Sequence, residues 1–170
     1  TTTEQVMSPV FEDAISYWPF YIDANDISGD NNGTLEGDAI SVSDLERGTV
    51  LQVGGAGFID AGVTSFTGDV TISFWFKASD LSGMQNIASQ DNTFFGTSSS
   101  ILFWQAAGSG ANNITGTTTL SVDTWYHGVI SHAGTGVGET ALYLNGVRDD
   151  NETESSDPMV TGNFTIGVQN

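Results

Sequence analysis

The segment Val70–Lys77 constrains the fold of this chain more than any other stretch. Val70, Ile72, Phe74 and Phe76 share one face of an extended chain, and polar or amphipathic side chains occupy the alternate positions. A side-chain period of two is typical of a β-strand with one face in a core and the other toward solvent. We therefore expect a strand here whose Val/Ile/Phe face builds the core.

The rest of the chain repeats short segments of the same kind. Segments rich in valine, isoleucine, threonine and aromatic residues alternate with turns, for which the 21 glycines are suited, and long helix-forming stretches are missing. Asn145-Gly146 is typical of a two-residue hairpin turn, and 54–57 is a second candidate hairpin connection. The further candidate strands are 15–21, 34–35, 39–42, 49–53, 58–59, 86–90, 93–96, 101–105, 114–120, 125–131, 140–144 and 164–168.

These patterns predict one all-β domain. A chain of 170 residues is long enough to bury a single core. Roughly a dozen short strands at this spacing favour an antiparallel sandwich of two sheets. We expect residues 1–170 to form a single domain, with 1–14 as a lead-in or edge strand.

The charge of the chain excludes several partners. It carries 21 acidic residues against 3 basic ones, for a net charge of −18. Nucleic acid is excluded because its phosphates need a basic surface, and binding to an anionic membrane is disfavoured for the same reason. Such self-repulsion is best tolerated in high salt or with divalent cations. These facts favour an extracellular setting.

The chain also lacks cysteine residues and long apolar runs, which bears on where the protein is located. The chain has no cysteine, which excludes disulfides and thiolate metal sites and is common in secreted bacterial proteins. No run approaches the roughly 18 apolar residues that a membrane helix needs, so membrane insertion is not expected. We therefore expect a secreted or cell-surface location, outside a bacterial cell.

Several segments in order along the chain carry a family resemblance: Tyr17-Trp18-Pro19-Phe20, 26–35, 48–61, 70–77, Trp125-Tyr126-His127-Gly128-Val129, 141–147 and Phe164-Thr165-Ile166-Gly167. They resemble the laminin-G-like, concanavalin A-like jelly-roll family, in the bacterial branch found in large surface or secreted proteins. The family continues after its penultimate strand with a closing strand, whereas this chain ends at Asn170. The resemblance therefore implies a jelly roll that either lacks its closing strand or is completed by sequence beyond residue 170.

The stretch 26–33 concentrates carboxylate, amide and hydroxyl oxygens in a glycine-bounded loop. Calcium takes about six to eight such oxygens, and the family resemblance implies a calcium ion here. An EF-hand is excluded, because its required glycine and glutamate positions fall on Asn31 and Gly37. The alternative is a turn built by Asx side chains that bond their own backbone. The candidate ligands are Asp26, Asp30, Asn31, Asn32, Gly33 and Thr34.

A second acidic run follows Arg148. It could hold another cation, although such a run is more often a solvated loop. Its acidic and amide residues are Asp149, Asp150, Asn151, Glu152, Glu154 and Asp157.

Lectins of the jelly-roll kind stack an exposed aromatic ring on a sugar and surround it with Asp, Asn and Gly. Aromatic and amide residues of this type lie in or beside the middle strands, and Phe94 is among them. The alternative is that all of these aromatic side chains belong to the core or to sheet surfaces. Trp18, Trp75 and Trp125 are interpreted as packing residues. The candidate ligand-binding residues are Asn92, Phe95, Trp104 and Asn113.

Enzyme chemistry finds little support. The Glu-x-Asp-x-x-Glu spacing of glucanases with this fold is missing, and both arginines, Arg47 and Arg148, fall in turns. His127 and His132 stand at an odd separation on one strand, hence on opposite faces, and cannot pair. No serine nucleophile with a recognisable His and Asp arrangement is present. We therefore expect a protein that is not an enzyme.

The sequence thus favours a non-catalytic, calcium-binding recognition or scaffold module of a bacterial cell-surface adhesin. Its expected partners are a glycan or cell-surface ligand and neighbouring domains of the same polypeptide. Two alternatives stay open. One is an accessory carbohydrate-binding domain of a secreted polysaccharide-degrading enzyme, and the other is a purely structural spacer domain.

Overall fold

The computed structural model describes residues 14–61, 69–91, 93–106, 113–151 and 162–167. Every regular element in these ranges is a β-strand, which confirms the predicted all-β class. No helix in the described part of the chain is long and apolar enough to cross a membrane. The strands are β1 Thr34–Glu36, β2 Ile40–Asp44, β3 Gly48–Gln52, β4 Phe58–Asp60, β5 Val70–Lys77, β6 Met84–Gln90, β7 Thr93–Ser98, β8 Ile101–Gln105, β9 Ile114–Thr115, β10 Trp125–His132, β11 Thr140–Leu144, β12 Val147–Arg148 and β13 Phe164–Gly167.

The strands form two packed sheets and a separate hairpin. The larger sheet has seven strands in the order β1-β4-β13-β6-β7-β8-β9, and the smaller has four in the order β12-β11-β10-β5. The hairpin consists of β2 and β3. Neighbouring strands are antiparallel, as in β5 with β10 and β6 with β7. This arrangement is the predicted antiparallel sandwich.

The alternation in β5 places its side chains as expected. Val70 and Phe76 are buried, and Ile72 and Phe74 are partly buried against the core. The intervening side chains point away from the core on the outer face of the four-stranded sheet. The sequence therefore predicted both the strand and its inner face.

The core consists of two clusters between the sheets. The larger joins β5, β10 and β11 of one sheet to β7 and β8 of the other, with Trp104, Leu102 and Ile130 at most 1% exposed. The smaller contains Phe164, whose ring stacks on Trp18 at 5.9 Å between centroids, in agreement with the packing interpretation of that tryptophan. Fully burying one large apolar side chain stabilises a fold by roughly 1.5–3 kcal/mol.

Strand β6 contains a bulge. Asn86 pairs with Gly96 and Ala88 pairs with Phe95, so Ile87 is an extra residue on the β6 side. Ile87 packs against the larger core cluster, and Ala88 belongs to the smaller one. The bulge therefore lets two consecutive residues of one strand contribute to the core.

The structure confirms one predicted turn and corrects two other predictions. Asn145 and Gly146 have positive φ angles of 51° and 81° and join β11 to β12, as a two-residue hairpin requires. The predicted hairpin across 54–57 is wrong, because β3 pairs with β2 while β4 pairs with β1 and β13. The predicted strand at 15–21 is also wrong, and Phe20 in it has a positive φ of 55°.

Two predictions concern residues outside the described ranges. The lead-in at 1–14 falls there except for its last residue. The predicted lack of a closing strand after Phe164–Gly167 concerns residues from 168 onward, and residues 168–170 lie outside the described ranges. Both stay predictions.

Candidate functional site

The carboxylate of Asp26 organises the loop that the sequence suggested for calcium. Its Oδ1 accepts hydrogen bonds from the backbone N–H groups of Tyr17 at 2.8 Å, Ser28 at 2.9 Å and Gly29 at 3.1 Å, and from the Ser28 hydroxyl at 2.9 Å. Its Oδ2 accepts one from the N–H of Asn31 at 3.3 Å. Asp26 is only 7% exposed. The loop therefore folds around a buried anion of its own.

These donors also set the acidity of the group. Burial alone would raise the pKa of Asp26, but the hydrogen bonds from Tyr17 and Ser28 outweigh it and hold the pKa below its ordinary value. The carboxylate is consequently charged at neutral pH, and its charge is balanced by oriented N–H and O–H dipoles.

The asparagine residues of the loop also form hydrogen bonds within the protein. The Oδ1 of Asn32 accepts a hydrogen bond from the N–H of Asp26 at 3.0 Å, and the carbonyl oxygen of Asn31 accepts one from the Trp18 indole at 2.8 Å. The Asn31 side chain donates to the Ser16 hydroxyl at 2.7 Å. These contacts tie the loop to the segment before it, which explains why that segment is ordered without being a strand.

The remaining predicted ligands are placed as follows. The N–H of Gly33 donates to the carbonyl of Ala24 at 2.8 Å, and a Cβ at Gly33 would lie 2.5 Å from the side chain of Ile59. Gly33 is thus required by close packing of the loop on the core. Asp30 and Thr34 are exposed to solvent.

The calcium site around Asp26 stays a prediction. A calcium ligand must direct a lone pair at the ion. The Oδ1 of Asp26 already accepts four hydrogen bonds, whereas its Oδ2 accepts one, at 3.3 Å. The described residues also contain no group of three or more His, Cys, Asp or Glu side chains that could hold a metal ion. The arrangement fits the alternative interpretation, a turn built by Asx side chains.

Asp149, in the second acidic run, is buried in a similar way. Its Oδ1 accepts hydrogen bonds from the N–H and hydroxyl groups of Thr117, at 3.1 and 2.7 Å, and of Thr118, at 2.9 and 2.8 Å. Burial would raise the pKa of Asp149, but these donors lower it below the ordinary value. Its Oδ2 is buried without a hydrogen-bond partner among the described residues.

The neighbours of Asp149 also bond within the protein. Asp150 accepts hydrogen bonds from Arg148 at 2.9 Å and from the N–H of Leu142 at 3.1 Å. Asn151 accepts one from the N–H of Thr115 at 3.1 Å. The described half of the run is therefore a set of structural contacts. The rest of it, Glu152, Glu154 and Asp157, lies outside the described residues.

Two residues predicted to contact a glycan lie in the core instead. Phe95 and Trp104 are each 1% exposed, and Phe95 packs edge-on against Phe74 at 4.6 Å between ring centroids. A ring without an exposed face cannot stack on a sugar, so this prediction is wrong. Asn113 is half-buried just before β9, and Asn92 lies outside the described residues.

The outer face of the seven-stranded sheet presents a different set. Asp60 of β4, Thr165 of β13, Ser89 of β6 and Phe94 of β7 are successive cross-strand partners, so their side chains stand in one row. The row lines an open groove of about 530 Å³. The other lining residues are Asp91, Gly162 and Asn163.

The polar groups of this groove are preorganised. The Asn163 amide donates to both carboxylate oxygens of Asp60, at 3.1 and 2.8 Å. The hydroxyl groups of Ser89 and Thr165 bond to each other at 2.7 Å and form the floor, because both residues are buried. Phe94 is partly exposed. The groove thus combines an accessible aromatic ring with carboxylate, amide and hydroxyl groups.

The sequence analysis did not predict Asp60 or Asn163 as site residues. It selected Phe95, whereas the adjacent Phe94 is the one that lines the groove. Strand alternation indicates that only one of Phe94 and Phe95 faces outward, because two consecutive residues face opposite sides of a sheet, but it does not say which one. Asp60 and Asn163 lie far apart in sequence, and only the pairing of β4 with β13 brings them together.

The outer face of the four-stranded sheet carries another aromatic group. Trp75 is 49% exposed, with the Arg47 guanidinium 3.2 Å above its ring. Asp44 forms an ion pair with Lys77 and accepts a hydrogen bond from the Trp125 indole at 3.1 Å. The bond from Lys77, more than any other, lowers the pKa of Asp44 to about 2. The packing interpretation of Trp75 and Trp125 applies here to an exposed surface, where they hold the β2–β3 turn.

Comparison with known proteins agrees with the fold. Residues 53–170 match a laminin G family model described as the Concanavalin A-like lectin/glucanases superfamily. No curated protein matched the chain.

Solved structures with the same fold include domains of larger bacterial proteins. Domain 4 of AbnA, a GH43 extracellular arabinanase from Geobacillus stearothermophilus in complex with arabinotriose, is 19% identical, with a TM-score of 0.63 over 86% of this chain and 78% of that one. Botulinum neurotoxin type C, whose cell entry depends on two ganglioside molecules, is 17% identical, with a TM-score of 0.60.

A further toxin structure is similar. The binding domain of botulinum neurotoxin DC in complex with SialylT is 17% identical, with a TM-score of 0.57. The alignments cover 84% and 83% of this chain but only 39% and 40% of the type C and DC toxin chains. The family match extends over more than half of the sequence and coincides with the observed sandwich. The chain belongs to the concanavalin A-like lectin/glucanases superfamily.

Proposed function

We propose that this chain is a non-catalytic carbohydrate-binding module of a secreted bacterial protein, and specifically an accessory domain of a polysaccharide-degrading enzyme. The groove on the outer face of the seven-stranded sheet carries the proposal. It is lined by the partly exposed Phe94, by the carboxylates of Asp60 and Asp91 and by the amide of Asn163.

Each of these groups suits one part of a sugar. The apolar C–H face of a pyranose or furanose ring packs against an aromatic ring such as that of Phe94. Sugar hydroxyls donate hydrogen bonds to carboxylates, and hydrogen bonds to charged acceptors are stronger than those between neutral groups. Asn163 holds Asp60 in place from the side, at 2.8 Å. The groove is therefore formed before a ligand arrives.

The structural neighbours support the accessory-domain role over the adhesin role. Domain 4 of the arabinanase aligns over 78% of its length and holds a neutral oligosaccharide, and it belongs to an extracellular enzyme. The toxin chains share only about two fifths of their length with this chain, so their ganglioside and sialylated ligands belong to proteins with much additional structure. The same groove could serve an adhesin, and the neighbouring domains of the parent polypeptide distinguish the two roles.

Glycan binding is tested with the isolated chain on an oligosaccharide array and by calorimetry. The panel includes arabinotriose and other fragments of polysaccharides. We expect binding to at least one oligosaccharide without its hydrolysis. Phe94→Ala should weaken that binding about tenfold, because it removes the stacking surface.

Tyr21→Ala is the matched control. Tyr21 is 60% exposed and does not line the groove, so its loss should leave affinity unchanged. Absence of binding to every oligosaccharide would overturn the proposal, as would equal loss of affinity in the two variants. Hydrolysis of a bound oligosaccharide would overturn its non-catalytic part.

A further inference from the structure

All basic side chains of the chain lie away from the groove. There are 3 lysines and arginines in total. Arg47 lies over Trp75, Lys77 pairs with Asp44, and Arg148 pairs with the carboxylate of the aspartate two residues later. All three therefore sit on or beside the four-stranded sheet.

The two histidines also lie away from the groove. His127 lies on β10 opposite Trp75 and bonds to the Ser73 hydroxyl at 2.8 Å, on the outer face of the same sheet. His132 is 2% exposed and bonds to the Thr140 hydroxyl at 2.7 Å. These five residues are every lysine, arginine and histidine in the sequence. No segment outside the described ranges can therefore supply a basic side chain to the groove.

Among the described residues that line the groove, both charged side chains are acidic. Asp60 and Asp91 line it, in a chain whose net charge is −18. The carboxylate of an acidic sugar would face like charges without a side-chain cation to balance it. An uncharged sugar would instead offer hydroxyl donors to the same oxygens.

We infer that the groove selects uncharged oligosaccharides over carboxylate-bearing ones, and that Asp60 and Asp91 determine this selectivity. The inference rests on the proposed glycan-binding function and adds the ligand class to it. It separates the two kinds of glycan named for the structural neighbours, since arabinotriose is neutral and a sialylated glycan is acidic.

The test compares matched oligosaccharides that differ only in charge, such as a galactose trisaccharide and the galacturonic acid trisaccharide, together with arabinotriose. Affinities are measured by calorimetry at low salt in the presence of EDTA, and again in millimolar calcium. For each pair that binds, we expect the acidic member to be about tenfold weaker, because two like charges oppose it. The difference should shrink at high salt, where these charges are screened.

The double variant Asp60→Asn/Asp91→Asn keeps the shape of both side chains and removes their charge. It should bind the acidic and neutral members of a pair with nearly equal affinity. Asp123→Asn is the charge-matched control, because Asp123 is exposed in the turn before β10 and its positive φ of 55° suits asparagine equally well. This control should keep the full discrimination.

The outcomes separate the inference from the function on which it rests. Binding of acidic members as tight as that of neutral ones, in EDTA or in calcium, overturns the selectivity and leaves the glycan-binding function intact. Discrimination that survives in the double variant also overturns it. Absence of binding to every oligosaccharide of either kind overturns the function itself.

Discussion

Two acid-rich regions of this molecule hold their carboxylates in different surroundings. In the loop 26–33, Asp26 is 7% exposed and its oxygens accept hydrogen bonds from the surrounding backbone and from Ser28. In the groove, Asp60 and Asp91 line an open surface of the seven-stranded sheet. The first region uses its carboxylate oxygens within a buried loop, and the second places its carboxylates on the lining of an open groove.

A high density of acidic residues therefore does not by itself identify a binding site. The loop and the groove carry the same kinds of oxygen-bearing side chains, yet in the loop the oxygens of Asp26 and Asn32 accept hydrogen bonds from backbone N–H donors. What distinguishes the groove is its open surface, which an aromatic side chain, Phe94, lines together with the polar groups.

The largest effect is expected on stability. Asp26→Asn replaces one acceptor oxygen with a donor group inside a ring of N–H donors, and it should lower the free energy of unfolding by about 3 kcal/mol. Asp60→Asn, at the open groove, should cost less than about 1 kcal/mol. Urea denaturation of both variants beside the unchanged protein measures this, and equal losses would abolish the distinction.

The second effect is expected on oligosaccharide affinity, where a change in the groove should matter and a change in the loop 26–33 should not. Phe94→Ala should weaken oligosaccharide binding about tenfold. Asp30→Asn, which changes an exposed carboxylate of the loop, should leave both affinity and stability unchanged. Calorimetry on the two variants provides the measurement. A loss of affinity on changing Asp30 would place part of the binding site at the loop.

The third effect concerns pH. The folded-state pKa of Asp26 is lower than its ordinary value of 3.8, so the charged carboxylate stabilises the fold above that pH and the contribution is lost as pH falls through the lowered value. The gap in unfolding free energy between the unchanged protein and Asp26→Asn should therefore narrow on acidification below 3.8. Acid titration at fixed urea follows it. A gap that widens on acidification would contradict the assigned direction.

The smallest effect is expected from calcium. Because four N–H and O–H donors already occupy Oδ1 of Asp26, we expect millimolar calcium added after EDTA treatment to shift the melting temperature by less than about 1 °C. A bound ion at a free concentration well above its Kd would instead stabilise the fold by a few kcal/mol. Differential scanning calorimetry decides between these results. An upward shift of several degrees would mean that the loop rearranges around an ion.

Much of the fold could be predicted from local patterns. The alternation in β5 and the Asn145-Gly146 turn depend on residues adjacent in sequence, and both predictions are confirmed. The segment 15–21 has an equally apolar composition but forms no strand. Its backbone partners are in the Asp26 loop, and this tertiary contact overrides local β propensity.

The site was harder to predict, because it depends on register between distant strands. Phe94 and Phe95 are neighbours of the same type, and which one faces the groove is decided by pairing with β6, where Ser89 opposes Phe94. Trp104 suggested a stacking surface, but it faces inward from β8. Neither fact follows from composition or spacing alone.

The bulge at Ile87 limits how proteins of this kind can diverge. The bulge determines which β6 side chains face each side of the sheet, so that Ala88 faces the core and Ser89 faces the groove. Gain or loss of one residue between Asn86 and Ser89 would exchange these faces and put a hydroxyl where a methyl group now packs. Homologues should therefore change ligand preference through substitutions along the groove and through loop length at strand ends, while the length of β6 stays constant.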